Sequence, residues 1–185
     1  MRRRAWPGRR RLGCESGYTL PELITVLAIL STVLAAFLTM FVSGMKAEVD
    51  MNERFQAQQE ARTAISKLRR EVRCASSATS AGTSITLSLG TYCKTAQGLP
   101  AISWCTVSVS AQRYALYRSP GSTCDGTGAK QADYLTSGSV FALDVVSGRR
   151  PKVAISLPVD ANPTRSAGRY LLEDSITLRN AARTP

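Results

Sequence analysis

The sequence predicts an α+β fold, in which one long N-terminal helix, membrane-spanning and then amphipathic, packs on an antiparallel β-sheet. Three observations lead to this prediction. An uncharged apolar run occupies residues 23–45, a polar segment with helical periodicity follows it to residue 74, and short alternating segments fill the rest of the chain. We therefore divide the chain into an N-terminal leader (1–17), the two halves of the helix (18–45 and 46–74) and a β-rich globular domain (75–185).

The apolar run from Leu23 to Met45 is long enough to cross a membrane. Its 23 residues would form a helix of about 35 Å, against a hydrocarbon layer of ~30 Å. Six arginines precede the run, at positions 2, 3, 4, 9, 10 and 11, and the run itself contains no lysine or arginine. The positive-inside rule therefore places its N-terminus in the cytoplasm and the bulk of the chain outside.

Much of the positive charge belongs to the leader. The chain has 24 basic and 13 acidic residues, a formal net charge of +11. Residues 1–17 hold six of the arginines and Glu15, so 18 basic and 12 acidic residues lie beyond them, a net charge of +6. This remainder is compatible with contact to nucleic acid.

The entrance to the apolar run reads Gly17-Tyr18-Thr19-Leu20-Pro21-Glu22. Thr19 and Glu22 fit a capping box, with Thr19 as the N-cap and Glu22 as the third helical residue. Pro21 is tolerated because amides of the first turn have no helical partner. A cleaved secretory signal would instead have a shorter apolar core, a cleavage site after it and no carboxylate at its entrance.

This six-residue stretch resembles the class III leader of type IV pilins and type II secretion pseudopilins. The resemblance implies that a prepilin peptidase cuts between Gly17 and Tyr18 and methylates the new N-terminus at Tyr18. It also implies that the Glu22 carboxylate pairs with the Tyr18 amine of a neighbouring subunit during assembly, which agrees with the cost of burying an unpaired acid in lipid. Helix capping by Glu22 is an alternative that is compatible with this role.

Residues 46–74 continue the helix with an amphipathic pattern. Asp50 with Arg54, and Lys67 with Glu71, are four residues apart and are expected to pair weakly on the exposed side. The basic residues between positions 67 and 73 are interpreted as a solvated helix end, where the helix dipole favours cations. Apolar residues spaced three and four apart predict one buried stripe, formed by Met51, Phe55, Ala61, Ala64, Ile65, Leu68 and Val72.

Beyond Cys74 the pattern changes to loops and strands. Residues 75–84 and 120–139 are rich in small polar residues and are expected to form loops. Ser110-Ala111-Gln112 is expected to turn a hairpin, and Pro151, Pro158 and Pro163 are expected at strand edges or turns. Alternating apolar residues predict strands at residues 85–89, 102–110, 113–118, 140–146, 153–159 and 170–178.

A second and shorter resemblance lies within these strands. Leu116-Tyr117-Arg118, with the earlier strand around Trp104, resembles strands of J-type minor pseudopilins and related minor pilins. Leu178-Arg179-Asn180 near the C-terminus resembles them as well. Taken individually, Trp104 and Tyr117 are explained as aromatic residues of the core or of a sheet face.

The four cysteines beyond the leader predict two disulfides, because an even count is expected in an exported domain. Three pairings of Cys74, Cys93, Cys105 and Cys124 are open. We favour Cys74 with Cys93 and Cys105 with Cys124, since each bridge ties a flexible loop to a nearby element. Each loop of ~20 residues could contribute up to about 3 kcal/mol. Zinc is disfavoured because the sequence has no histidine and no Cys-x-x-Cys pair.

Motifs of enzymes are absent from the sequence. It has no histidine to act as a general base, no Gly-x-Ser-x-Gly elbow, no phosphate loop and no paired-carboxylate motif. Major pseudopilins hold calcium in a region similar to residues 120–139, but Asp125 and Asp133 supply few of the six to eight oxygens that calcium takes. We therefore expect a non-enzymatic interaction module without metal or cofactor.

Together these features indicate a minor pilin or pseudopilin subunit of a type IV pilus-like or type II secretion-like filament. Its expected partners are other pilin-like subunits, the prepilin peptidase, the assembly platform and, through residues 23–45, the bacterial cytoplasmic membrane. The C-terminal domain is expected outside, first on the membrane and then in the filament. Two alternatives stay open: a DNA-binding competence or adhesion pilin with nucleic acid as its partner, and a signal-anchored exported enzyme.

Overall fold

The computed structural model describes residues 17–90, 93, 98–162 and 169–182. Within them the chain forms one α-helix, α1 (Leu20–Cys74), and then eight β-strands, which confirms the α+β class. The strands are β1 (Ala75–Ser80), β2 (Ser84–Leu89), β3 (Ala101–Ser110), β4 (Arg113–Pro120), β5 (Ala129–Leu135), β6 (Phe141–Asp144), β7 (Lys152–Val159) and β8 (Tyr170–Thr177).

The chain divides into two compact units, with the boundary between Lys46 and Ala47. The first unit holds the apolar part of α1. The second begins with the remainder of α1 and contains all eight strands. The boundary follows the change from apolar to polar sequence, because the side chains before it have no described neighbours to pack against, whereas those after it share a core.

The strands of the second unit form one antiparallel sheet in the order β1-β2-β3-β4-β5-β7-β6. Strand β8 pairs with the other edge of β7, since Ile155 of β7 lies opposite both Phe141 of β6 and Asp174 of β8. The amides of Val140 and Phe141 donate to the carbonyl of Gly82 at 3.1 and 3.0 Å. These two bonds join the β1–β2 turn to the start of β6, so the sheet curls until its ends meet.

The core lies between the sheet and the later part of α1. The helix buries Ala57, and then Ala61, Ala64, Ile65, Leu68 and Val72 of the predicted stripe. The prediction is wrong for Met51 and Phe55, which are 72% and 58% exposed. The reason is that the core against which α1 packs begins at Ala57.

Regular alternation on the strands supplies the other side of the core. In β7 the side chains of Val153, Ile155, Leu157 and Val159 are buried, while those between them are partly exposed. Ile85, Leu87 and Leu89 alternate in the same way on β2. Successive side chains of a strand point to opposite faces, so these patterns confirm the predicted strands and identify the face that meets α1.

Two segments predicted as loops contain strands. Strand β1 lies within residues 75–84 and pairs with β2, although its composition is serine, threonine and alanine and only Ala75 is buried. Strand β5 lies within residues 120–139 and buries Ala132, Asp133 and Leu135. Both predictions failed because pairing to a neighbouring strand, rather than local propensity, holds these segments extended.

The predicted turns agree with the structure where it describes them. Ser110 of β3 pairs with Arg113 of β4 around the predicted hairpin turn. Pro151 directly precedes β7, as predicted. Pro158 instead lies inside β7, one residue from its end, where it is opposite Leu171 of β8 and its carbonyl accepts from the Thr136 amide. Pro163 lies outside the described residues.

Candidate functional site

The N-terminus of α1 has the predicted capping residues in place. The helix begins at Leu20, so Thr19 is the N-cap and Glu22 is the third helical residue. The amides of Glu22 and Leu23 donate to the Thr19 carbonyl at 3.0 and 3.1 Å. The Thr19 hydroxyl donates to Glu22 Oε2 at 3.5 Å. Within the described part of the chain the side-chain-to-backbone bonds of a full capping box are not formed, so the Glu22 carboxylate retains acceptor capacity for another partner.

Gly17 and Tyr18 lie just ahead of the helix. Both are exposed, and the Tyr18 side chain is 81% accessible. No described atom lies within 4 Å of the position that a side chain on Gly17 would occupy. The peptide bond between the two residues is thus open to approach and precedes the first helical residue by two positions.

The apolar part of α1 satisfies its own polar groups. Its large apolar side chains are exposed. The hydroxyls within it donate to carbonyls three or four residues earlier, which removes free donors from the helix surface; they belong to Thr25, Ser31, Thr32, Thr39 and Ser43. This helix is long and apolar enough to cross a membrane, and Glu22 is the only ionisable side chain between Tyr18 and Lys46.

A buried polar group joins α1 to the sheet through Glu71, which is 4% exposed. Trp104 Nε1 donates to Glu71 Oε2 at 2.7 Å, and Arg118 Nε donates to Glu71 Oε1 at 2.8 Å. Trp104 and Arg118 are direct partners across β3 and β4. One carboxylate of the helix is therefore shared between two adjacent strands.

The predicted pair of Lys67 with Glu71 is wrong. Lys67 Nζ instead donates to Gln131 Oε1 of β5 at 2.9 Å. Glu71 lies next to Val72 and three residues after Leu68, so it faces the sheet with the apolar stripe. An acid within an apolar stripe was the signal that could have revealed the buried site. The other predicted pair, Asp50 with Arg54, is confirmed at 3.2 Å.

Two arginines attach the flank of α1 to β8. Arg69 Nη2 lies 2.8 Å from Asp174 Oδ2. Arg62 donates to the Tyr170 hydroxyl at 3.1 Å, with its guanidinium 5.5 Å from the ring centroid. The interpretation of the basic residues as a solvated helix end is therefore wrong for Arg69, because a carboxylate of β8 lies within its reach.

Asp133 is a second buried carboxylate. Arg113 Nε and Nη2 each donate to it at 2.8 Å, Lys130 Nζ at 3.0 Å and the Tyr134 amide at 2.7 Å. The hydrogen bonds from Arg113 hold the pKa of Asp133 well below its usual range, against the opposing effect of burial. The Arg113 guanidinium also stacks 3.9 Å from the ring centroid of Tyr134, whose φ of 60° is left-handed. This arrangement fixes the bulge between β4 and β5.

The two aspartates considered for calcium are engaged elsewhere. Asp133 faces the cations just described, and Asp125 Oδ1 accepts bonds from the amide and hydroxyl of Thr127 at 3.0 and 2.7 Å. These bonds lower the pKa of Asp125. No group of three metal-ligating side chains comes together among the residues that the structure describes.

Both favoured disulfides are present. Cys74–Cys93 joins the end of α1 to the segment after β2, with the Cα atoms 5.6 Å apart. Cys105–Cys124 joins β3 to the loop between β4 and β5, with the Cα atoms 5.9 Å apart. The structure thus confirms the pairing favoured from the sequence.

Comparison of the chain with protein-family models, curated proteins and solved structures finds no match. Fold and site therefore define the class of protein by themselves. The chain is an α+β protein with one N-terminal helix long and apolar enough to cross a membrane and a disulfide-bonded β-rich unit. A single acid marks the start of that helix.

Proposed function

We propose that this protein is a minor pilin or pseudopilin subunit of a type IV pilus-like or type II secretion-like filament. The observation that carries the proposal is the position of Glu22, the one acid at the start of an uncharged apolar helix, five residues after Gly17. The long helix with an antiparallel sheet packed on its later part supports the same assignment.

Processing is the first step of the proposed role. The six leader arginines keep the N-terminus in the cytoplasm, where a prepilin peptidase hydrolyses the exposed bond between Gly17 and Tyr18. Cleavage leaves a free amine on Tyr18, which is largely protonated near neutral pH and is then methylated. The product is a single-pass protein of the bacterial cytoplasmic membrane whose β-rich unit lies outside.

Assembly is the second step. A carboxylate drawn into the hydrocarbon layer is costly, with insertion scales giving on the order of 2.5 kcal/mol or more at the helix centre and less toward its ends, where Glu22 lies. The Tyr18 amine of a neighbouring subunit offsets this cost by pairing with the Glu22 carboxylate, which within the described chain accepts only the 3.5 Å hydrogen bond from the Thr19 hydroxyl. The pairing would thereby favour lateral addition of subunits through their apolar helices.

The experiment compares Glu22→Ala with Thr19→Ala in the full chain, produced in a bacterium that assembles such filaments. Thr19→Ala removes the hydroxyl that donates to Glu22 and leaves the carboxylate, so it serves as the matched control. We expect the Glu22→Ala protein to insert and be cleaved but to be lost from complexes with other pilin-like subunits. Thr19→Ala should be incorporated normally. Co-purification from membranes measures incorporation, and mass spectrometry of the same sample gives the mature N-terminus.

The two parts of the proposal can fail separately. Normal incorporation of cleaved Glu22→Ala protein would reject the pairing and leave capping as the role of Glu22, with an effect of about 1 kcal/mol on the helix. A mature N-terminus at residue 1, or one beyond the apolar run, would reject the filament-subunit assignment itself.

A further inference from the structure

One end of the second unit concentrates basic residues that are not used in ion pairs. Five exposed side chains lie there: Arg70, Arg73, Arg150, Lys152 and Arg179. Within the described residues none of the five forms an ion pair. We call this set the basic end.

A side-chain-to-backbone hydrogen bond brings two of the segments that carry these residues together. Asn180 Nδ2 donates to the Cys74 carbonyl at 3.4 Å, which places Arg179 and Arg73 at neighbouring points of the surface. Cys74 is the last residue of α1. The end of the helix and the residues after β8 therefore share one end of the unit.

The turn between β6 and β7 reaches the same place. The Leu178 amide donates to the Pro151 carbonyl at 3.0 Å, and Lys152 lies opposite Thr177 in the β7–β8 register. Arg150 directly precedes Pro151. Three segments distant in sequence thus contribute cations to one surface.

The turn itself is rigidly built. The Arg149 amide donates to the Val146 carbonyl at 3.1 Å, and Gly148 adopts a φ of 75° that a side chain would strain. Pro151 then fixes the backbone that leads into β7. Arg150, which lies between this turn and β7, is consequently held in a defined position at this surface.

Little negative charge opposes the basic end. Asp144 lies opposite Lys152 across β6 and β7, but the two form no ion pair. The nearest acids of α1 and β8 are already paired, Glu71 with Arg118 and Asp174 with Arg69. The five cations of the basic end are therefore available to an external anion.

We propose that the basic end binds the phosphate backbone of nucleic acid. Guanidinium groups match phosphate oxygens in a bidentate geometry, and all but one of the cations are arginines. Cations from three separate segments suit an anion that repeats along a polymer better than a single phosphate. The exposed apolar neighbours are Val145 and Val146, whereas membrane-surface segments use tryptophan, phenylalanine and leucine.

Binding through these groups is independent of base sequence, because contacts to phosphates carry no sequence information directly. It is strongly dependent on salt, since each neutralised phosphate releases counterions. Five contacts predict a slope of log K against log salt of about −4.5, and each lost contact reduces the slope by about 0.9. The salt slope is therefore a direct count of the cations that take part.

The test uses residues 18–185, without the six leader arginines, in detergent micelles, and a short fluorescein-labelled DNA duplex titrated at several salt concentrations. The variant Arg73→Gln/Arg150→Gln/Arg179→Gln removes three charges from the basic end. The control Arg62→Gln/Lys67→Gln/Arg169→Gln removes three exposed cations from elsewhere in the second unit. We expect the first variant to bind at least tenfold more weakly at low salt, with the slope reduced by about 2.7, and the control to keep the wild-type slope.

Several outcomes would overturn the proposal. One is that the wild-type protein does not bind the duplex at low salt. Another is that the two triple variants lose affinity for the duplex equally, which would mean that binding depends on net charge alone. Polyglutamate or phosphatidylglycerol vesicles, titrated in parallel, must bind more weakly than DNA. Stronger binding of either would assign the basic end to an acidic protein or a membrane surface instead. Incorporation of subunits is not measured in these titrations, so their result is independent of filament assembly.

Discussion

Replacing Glu71 by alanine tests whether the buried carboxylate holds α1 on the sheet. The substitution removes the acceptor of both the Trp104 indole and the Arg118 guanidinium. It keeps a good helix former at position 71, so the helix itself should persist. Any loss of stability then reports on the contact between helix and strands.

The structure sets the size of the expected loss. Removing one partner of a buried ion pair costs about 3–5 kcal/mol, but the Arg118 side chain is 24% exposed and can recover some hydration. The Trp104 side chain is fully buried, so its N–H would stay unsatisfied at a cost of about 1–3 kcal/mol. Because these contributions overlap, we expect a decrease of about 3 kcal/mol in the free energy of unfolding.

The assay is urea denaturation of residues 47–185 with the disulfides intact. Trp104 is the only tryptophan in that segment, so its fluorescence reports on the altered site directly. Glu53→Ala, an exposed glutamate on the same helix, is the matched control and should cost less than about 0.5 kcal/mol. A Glu71→Ala loss no larger than that of Glu53→Ala would refute the role of the carboxylate in joining helix and sheet.

Three further predictions concern the second unit. The pKa of Asp133 is lowered in the folded protein, so its charge stabilises the fold above the unfolded pKa of about 4 and this contribution is lost as pH falls. The difference in unfolding free energy between wild type and Asp133→Asn should therefore narrow below pH ~4, by up to about 1.4 kcal/mol per pH unit. A difference that stays constant through an acid denaturation series would contradict this prediction. Thiol labelling of exported, denatured protein without reductant should find no reactive cysteine, and labelling of all four in residues 47–185 would exclude both bridges. Gly128→Ala should destabilise the unit by more than 1 kcal/mol, roughly the lower bound for overpacking, because its Cβ would collide with the Arg118 carbonyl, whereas Gly90→Ala meets only an ordinary contact. Equal urea midpoints for the two variants would contradict the expected cost of that collision.

Features determined by residues that are close together in the sequence could be predicted well. The helix start at Leu20, the buried alternation of β2 and β7 and the disulfide pairing all depend on residues near one another in the chain. The N-terminal candidate site is of the same kind, since Gly17, Tyr18 and Glu22 lie within six residues. Local rules placed Thr19 at the N-cap and Glu22 at the third helical position, but the side-chain-to-backbone bonds of the capping box are not formed in the described chain.

Features that depend on distant partners could not be predicted in this way. Strand β1 has no apolar pattern of its own and is extended because β2 pairs with it. The sequence predicted that Glu71 pairs with Lys67, because Lys67 lies four residues away on the same helix. Trp104 and Arg118, the actual partners of Glu71, are distant in sequence and could not be recognised without the fold. The basic end joins three segments that only the curled sheet brings together.

The position of the two disulfides has a mechanical consequence. Helix α1 passes into β1 without a linking residue, and Cys74 at that junction is bridged to Cys93. A pulling force that enters through α1 is carried by the covalent bridge past the β1–β2 hairpin, and the second bridge carries it past the β3–β4 hairpin. Each bridge spans 19 positions, so about 130 Å of chain, at ~3.4 Å per residue, is withheld from extension. With both disulfides formed, the second unit should therefore extend less when it is unfolded by force. Reduction of the disulfides should increase its extended length by the withheld segments.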